Sequence, residues 1–187
     1  MLRLCSRCLC PHGFDRAKAL STDYFTILGA PKCAMPLDGA WRKNLTKHYH
    51  EFQSQCHPDI SPQDSDVSAY LNLAFECLKD PVSRCKYLLT LQGVNTNPET
   101  GGTQVTMPPA FLQEILELNE TIEECDSNLE RLKKGAEEKF GAKLLQVQEA
   151  FEAGDLEVMK VRVAELSYLA SALRRIGNVE LDRSLRD

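Results

Sequence analysis

The sequence contains no run of about eighteen apolar residues, the length that a helix needs to cross a bilayer, so we expect no membrane span. It also lacks a glycine-rich phosphate loop and a Gly-x-Ser-x-Gly motif, and its cysteines and histidines do not have the spacing of a catalytic pair. No long run of Lys and Arg is present, which argues against nucleic acid as the main partner, because neutralising phosphates needs clustered cations. These absences favour a soluble protein that is not itself an enzyme.

The charge is divided unevenly along the 187 residues. Residues 1–92 carry 11 Lys and Arg against 9 Asp and Glu, whereas residues 93–187 carry 11 against 18, so the net charges are +2 and −7. Basic helix faces in the first half are therefore available to meet an acidic protein surface. The length allows two small domains.

The first 22 residues contain four basic side chains, one acidic side chain and interleaved leucines. This composition is typical of a mitochondrial targeting segment, which we assign to residues 1–21, and it predicts a location in the mitochondrial matrix. A basic start without a targeting role is the alternative.

Eight cysteines allow a metal site to be considered. Cys5 and Cys8 have the two-residue spacing that can hold zinc, and Cys10 and His12 could complete four ligands. A strong zinc site usually pairs two such motifs, and the sequence has no second Cys-x-x-Cys. We therefore expect no metal and no other cofactor. The remaining cysteines are predicted to be small core residues: Cys33, Cys56, Cys77, Cys85 and Cys125.

Two helical patterns flank the tripeptide His57-Pro58-Asp59. Apolar residues of the first pattern recur at spacings of three and four: Leu37, Trp41, Leu45, Tyr49, Phe52 and Cys56. The second pattern, with Asp64 or Ser65 as N-cap, has its own stripe: Val67, Leu71, Ala74, Phe75 and Leu78. Because Pro58 disfavours helix at the residue before it, the break is built into the sequence, and two antiparallel helices joined by a polar turn are expected.

This context resembles the J-domain, the module that docks on DnaK-type heat-shock chaperones and stimulates their ATPase. The run Asp-Tyr-Phe-Thr-Ile-Leu-Gly at 23–29 resembles the first helix of that domain, and residues 72–81 resemble its third helix and stop. The resemblance implies a J-domain over residues 22–92 in which Asp59 triggers ATP hydrolysis by the chaperone, while His57 and Pro58 shape the turn. Three cations off the buried stripe would steer the chaperone, unless they form an ordinary solvated face: Arg42, Lys43 and Lys47.

Residues 93–108 are rich in Gly, Asn and Pro and lack periodicity, which predicts a linker. After the linker, three helical patterns run with short breaks, the first ending at Gly135 and the second at Gly154, with Asp155 as the N-cap of the third. Short turns make neighbouring helices antiparallel. Residues 109–187 are therefore predicted to form a three-helix bundle, and the whole chain is predicted to be all-α.

Leu112 and Leu116 lie one residue past Phe111 and Ile115, about 100° from the predicted core stripe of an ideal helix. They either widen the core face or form an exposed apolar ridge for a protein partner. Acidic residues near them favour a partner with a basic rim: Glu117, Glu120 and Glu124.

The run Pro-Val-Ser-Arg-Cys-Lys-Tyr-Leu-Leu-Thr-Leu at 81–91 and the run Pro-Ala-Phe-Leu at 109–112 resemble the HscB-type J-proteins of iron–sulfur cluster assembly. The resemblance covers roughly residues 22–181. It implies that the bundle binds the scaffold protein on which clusters are built, through these residues: Leu112, Leu116, Glu117, Glu120, Glu124 and Tyr168. Gln113 departs from the family, which often has a second apolar residue there, so the affinity is expected to be weaker or tuned differently.

The resemblance implies a co-chaperone that recruits the chaperone with one domain and delivers the scaffold with the other, promoting cluster transfer. Two other functions stay open. A general J-domain co-chaperone with another client would be favoured if Leu112 and Leu116 were buried. A cysteine-based metal-binding protein would be revealed by a zinc or iron assay. The oligomeric state is also open, with a monomer as one option.

Overall fold

The computed structural model describes residues 16–36, 39–56, 65–96, 105–124 and 129–185. These residues form helices and no strands, as the all-α prediction requires. The helices are α1 (Arg16–Ser21), α2 (Tyr24–Ile27), α3 (Gly39–Cys56), α4 (Ser65–Lys79), α5 (Pro81–Leu91), α6 (Pro109–Glu124), α7 (Leu129–Ala153) and α8 (Leu156–Ser184). None of these helices is both long enough and apolar enough to span a bilayer.

The two stripes that flank the tripeptide are the buried faces of α3 and α4, which pack against each other. Tyr49 of α3 stacks on Phe75 of α4, with ring centroids 4.2 Å apart, and its hydroxyl donates to Asn72 Oδ1 at 2.8 Å. The packing of the two predicted helices is therefore confirmed. Leu37 and Asp64 lie outside the described residues.

α1 and α2 both pack on α4. The carboxylate of Asp23 caps α2 by accepting from the Thr26 N–H at 3.1 Å. The Tyr70 hydroxyl of α4 donates to the Thr22 carbonyl at 2.6 Å, which fixes the segment between α1 and α2. α1 lies within residues 1–21, whose targeting role stays a prediction, and residues 1–15 lie outside the described part of the chain.

Arg84, the last residue of the first compact unit, is buried. Its Nε and Nη2 donate to the Ala34 carbonyl at 3.0 and 2.8 Å, and its Nη1 donates to the Leu78 carbonyl at 2.6 Å. The guanidinium also lies over the ring of Trp41. One side chain from the 81–91 run therefore joins the segment after α2, the start of α3 and the end of α4.

In the second unit, α8 packs against both α6 and α7. The turn between α7 and α8 follows the prediction, since Gly154 has a φ of +72° and the Asp155 carboxylate accepts from the Val158 N–H at 3.0 Å. The buried side of α8 contributes these residues to the bundle core: Met159, Val163, Leu166, Leu169, Ala172 and Ile176.

The predicted helix end at Gly135 is wrong. α6 ends at Glu124, and α7 runs from Leu129 to Ala153 with Gly135 in its interior. Glycine within a helix costs about 1 kcal/mol relative to alanine. The burial of α7 against α8 outweighs that cost, because tertiary packing supplies most helix stability.

The chain divides into two compact units, the first ending at Arg84 and the second beginning at Cys85, so the division falls within α5. The functional boundaries, with a J-domain over 22–92 and a bundle over 109–187, stay a prediction. Of the predicted linker, residues 97–104 lie outside the described chain, and residues 105–108 have no helix.

Candidate functional site

α3 presents its predicted cations on the face away from its core. Arg42, Lys43 and Lys47 are exposed, whereas Trp41 and Leu45 are buried. Lys47 has an i,i+4 contact of 3.8 Å with Glu51, a pair that contributes little in water. α3 ends at Cys56, directly before the predicted chaperone-binding tripeptide, and His57, Pro58 and Asp59 lie outside the described residues.

His48 has a role that the sequence did not reveal. It lies off the apolar stripe, yet it is half-buried, with Nδ1 3.0 Å from the carbonyl oxygen of Leu28. Gly29 adopts a φ of +61°, and a Cβ at this position would lie 3.0 Å from the same nitrogen. The imidazole therefore fixes the turn after α2 against α3.

The apolar side chains at the start of α6 separate into a predicted core register and a predicted scaffold-binding register. Phe111 and Ile115 are buried, whereas Leu112 is 37% exposed and Leu116 is 62% exposed. Tyr168 of α8 is 43% exposed, and its ring lies 6.2 Å from that of Phe111 in an edge-to-face arrangement. The two leucines therefore do not belong to the bundle core.

Of the carboxylates near this apolar surface, Glu117 is held by a hydrogen bond within α6. Glu117 and Glu120 are exposed, and Glu124 is the last residue of α6, where its side chain is outside the described structure. Gln113 Nε2 donates to Glu117 Oε1 at 3.0 Å. The residue that departs from the family pattern thus holds one of the predicted carboxylates.

A charged network lies beneath Phe111. Lys143 Nζ of α7 lies 5.6 Å from the Phe111 ring centroid and donates to Glu165 Oε2 of α8 at 2.7 Å. Glu165 is buried and also accepts from Arg162 Nη1 at 3.1 and 2.8 Å. The sequence pattern did not reveal the roles of Lys143, Arg162 and Glu165. The available signal was an acidic residue directly before the predicted core position Leu166.

The described residues contain no cluster of three or more side chains able to hold a metal ion, and the four N-terminal candidates at positions 5, 8, 10 and 12 lie outside them. Cys56 and Cys85 are buried, and Cys33 and Cys77 are half-buried. Burial, reinforced by Asp80 and opposed by Arg84, raises the pKa of Cys77 to about 11. Cys125 is also outside the described chain.

Comparison with known proteins gives one family. A family model described as the HSCB C-terminal oligomerisation domain matches residues 107–177. Co-chaperone protein HscB of Proteus mirabilis is 35% identical over 112 residues, which cover 56% of this chain and 61% of the relative. The J-type co-chaperone JAC1, mitochondrial, of Saccharomyces cerevisiae is 30% identical over 118 residues, which cover 62% of this chain and 58% of the relative. This chain therefore spans about three fifths of these relatives.

The iron-sulfur cluster co-chaperone protein HscB of Mus musculus is 29% identical over 167 residues, which cover 82% of this chain and 67% of that protein. The crystal structure of human co-chaperone protein HscB has a TM-score of 0.76 at 26% identity, covering 87% of this chain and 84% of the human one. Chaperone HscB from Vibrio cholerae has the same fold, with a TM-score of 0.70 at 23% identity over 86% of this chain and 99% of that one. The family model over residues 107–177, the relatives and the fold of the human protein all make this chain similar to HscB co-chaperones.

Proposed function

We propose that this protein is a J-type co-chaperone of iron–sulfur cluster assembly that activates the ATPase of a DnaK-type chaperone and delivers the cluster scaffold protein to it. The observation that carries the proposal is the exposure of Leu112, Leu116 and Tyr168 beside the buried Phe111 and Ile115. Burial of Leu112 and Leu116 would have favoured a general J-domain co-chaperone, and both side chains are exposed. The names of the yeast, mouse and Proteus relatives support the proposal.

The first unit provides the chaperone-docking surface. Arg42, Lys43 and Lys47 are exposed on α3, and their field attracts an acidic surface over about 8 Å at physiological salt. The packing of α3 on α4 fixes the helix that leads into the tripeptide at residues 57–59. Asp59 then pairs with a basic group of the chaperone and triggers hydrolysis there, while His57 and Pro58 shape the turn. ATP is hydrolysed by the chaperone and not by this chain.

The second unit provides the scaffold-docking surface. A partner that covers Leu116 removes most of an exposed leucine from water, which contributes roughly 1–2 kcal/mol. Glu117, Glu120 and Glu124 favour a partner with a basic rim, and their contribution is mainly to association rate and specificity. A small apolar centre with a charged rim is the usual anatomy of a transient interface.

Joining the two surfaces in one chain explains delivery. Once the bundle holds the scaffold and the J-domain holds the chaperone, the scaffold meets the chaperone at a high effective concentration. The net charges of +2 and −7 in the two halves suit two partners of different surface charge. We place the protein in the mitochondrial matrix, which the yeast relative's mitochondrial designation and the basic residues within 1–21 support.

The deciding experiment measures steady-state ATP hydrolysis by a mitochondrial DnaK-type chaperone, with and without the scaffold, in the presence of wild type or Asp59→Ala. We expect strong stimulation that depends on the scaffold and is lost in Asp59→Ala, while this variant still binds the scaffold. Glu76→Ala is the matched control, since Glu76 is an exposed carboxylate of the same unit and should keep full stimulation.

Stimulation that is indifferent to the scaffold would replace the proposal with a general J-domain co-chaperone. Absence of stimulation with every chaperone tested would mean that the turn at 57–59 has no docking role. Stimulation that survives in Asp59→Ala would remove the assignment of Asp59 as the trigger.

A further inference from the structure

Two ion pairs join α7 to α8 and differ in their surroundings. Lys143 Nζ and Glu165 Oε2 are 2.7 Å apart, and so are Lys133 Nζ and Glu180 Oε2. The Glu165 side chain is only 2% exposed, whereas that of Glu180 is 34% exposed. Lys143 also lies over the ring of Phe111, the residue directly before Leu112.

We propose that Lys143 and Glu165 are positioning residues for scaffold docking. They hold the Phe111 ring in place, and through it they set the positions of Leu112 and Tyr168. This inference rests on the proposed function, because it assigns the support of the same docking surface. Neither residue need touch the scaffold.

The support is needed because the docking surface lies at the start of a helix. The first N–H groups of any helix have no partner one turn earlier within that helix, so its first turn frays unless other contacts hold it. Here the Phe111 and Leu112 N–H groups donate to the Pro108 carbonyl at 3.0 and 3.1 Å. The Phe111 side chain packs with Ile115 and Leu169, and it is the earliest buried side chain of α6.

Glu165 fixes where the Lys143 ammonium lies. A buried carboxylate requires charged or hydrogen-bonding partners. Glu165 has two: Arg162 of α8 and Lys143 of α7. With its ammonium held at Glu165, Lys143 presents a cation to the Phe111 ring, 5.6 Å from the centroid.

The last contact of this series involves α8 again. Tyr168 follows Glu165 by three residues, so both lie on one side of α8. The Tyr168 ring contacts the Phe111 ring edge-to-face, with the ring centroids 6.2 Å apart. A shift of the Lys143 ammonium therefore acts on two of the three exposed apolar members of the surface, through Phe111 on Leu112 and through the ring contact on Tyr168.

Full-length variants test the inference with two readouts. Lys143→Met keeps the aliphatic stem but removes the charge, Lys143→Arg restores a cation, and Lys133→Met removes the other α7–α8 pair as a control. One readout is amide hydrogen exchange of residues 110–116 in the free protein. The other is the scaffold concentration that gives half-maximal stimulation of the chaperone ATPase.

In Lys143→Met we expect several-fold faster exchange at 110–116 and a half-maximal scaffold concentration raised roughly fivefold, with unchanged maximal stimulation and helicity. Lys143→Arg should restore most of both values. Lys133→Met should change neither, because Lys133 pairs with the more exposed Glu180.

If Lys143→Met matches Lys133→Met in either readout, the positioning role is overturned. A wild-type protein that shows no scaffold dependence removes the proposed function and this inference with it, whereas a scaffold-dependent wild type with a neutral Lys143→Met removes the inference alone. Should Lys143→Met lose helicity, Phe111→Leu serves instead, since it keeps an apolar side chain and removes the ring. Unchanged scaffold dependence in that variant would overturn the inference.

Discussion

The guanidinium of Arg84 lies over the ring of Trp41, with its central carbon 5.0 Å from the ring centroid. Both side chains are buried, and the same guanidinium donates to the carbonyls of Ala34 and Leu78. The unit that contains α3 is therefore built around a buried cation as well as around apolar side chains. Arg84 therefore helps to stabilise α3, the helix that carries the proposed chaperone-docking cations.

Arg84→Met should destabilise the first unit by about 3 kcal/mol or more, since the carbonyls of Ala34 and Leu78 lose a buried charged donor. Urea unfolding followed by the fluorescence of the single tryptophan, Trp41, measures this change. Arg42→Met is the matched control and should cost less than about 0.5 kcal/mol, because Arg42 is exposed. Equal losses in the two variants would contradict the role assigned to Arg84.

Gly29→Ala should cost about 2–3 kcal/mol, because alanine is strained at a φ of +61° and its Cβ would press on the His48 ring. A double-mutant cycle separates the two causes. In a His48→Ala background the ring is absent, so the same substitution should cost only about 1–2 kcal/mol. An identical cost in both backgrounds would show that the ring adapts freely.

Leu112→Ala combined with Leu116→Ala should weaken scaffold binding at least about tenfold, because the partner loses most of the apolar surface that it covers. Circular dichroism should show unchanged helicity, and stimulation of the chaperone without scaffold should be retained. Leu145→Ala is the matched control, since Leu145 is a comparably exposed leucine on α7 and should leave binding unchanged. Loss of folding in the double variant would mean that these leucines act in the core.

The features that sequence predicted well are those in which local pattern and tertiary packing agree. The stripes of α3 and α4 are buried because a three-and-four spacing leaves one face for a neighbouring helix. The turn at Gly154 and Asp155 was predictable because both roles are local. Gly154 adopts the positive φ that ends α7, and Asp155 is the N-cap of α8.

The features that sequence missed depend on distant parts of the chain. The apolar pattern of the first predicted bundle helix runs without interruption to Gly135, so it gives no sign that α6 ends at Glu124 and that α7 begins at Leu129. Lys143 of α7 contacts Phe111 of α6 and Glu165 of α8. Local periodicity carries no information about such contacts between helices, and by residue type alone Lys143 is expected at the surface.

Cys77 is half-buried in the first unit, and its pKa of about 11 keeps it almost wholly a neutral thiol at pH 7. The thiolate, which is the form that binds iron, is therefore a minor form of this residue. Burial likewise raises the pKa of Cys33, and Cys56 and Cys85 are buried. In the role proposed above, beside an iron–sulfur cluster, these four cysteines would compete poorly for the metal, which would stay with the ligands of the scaffold that carries it.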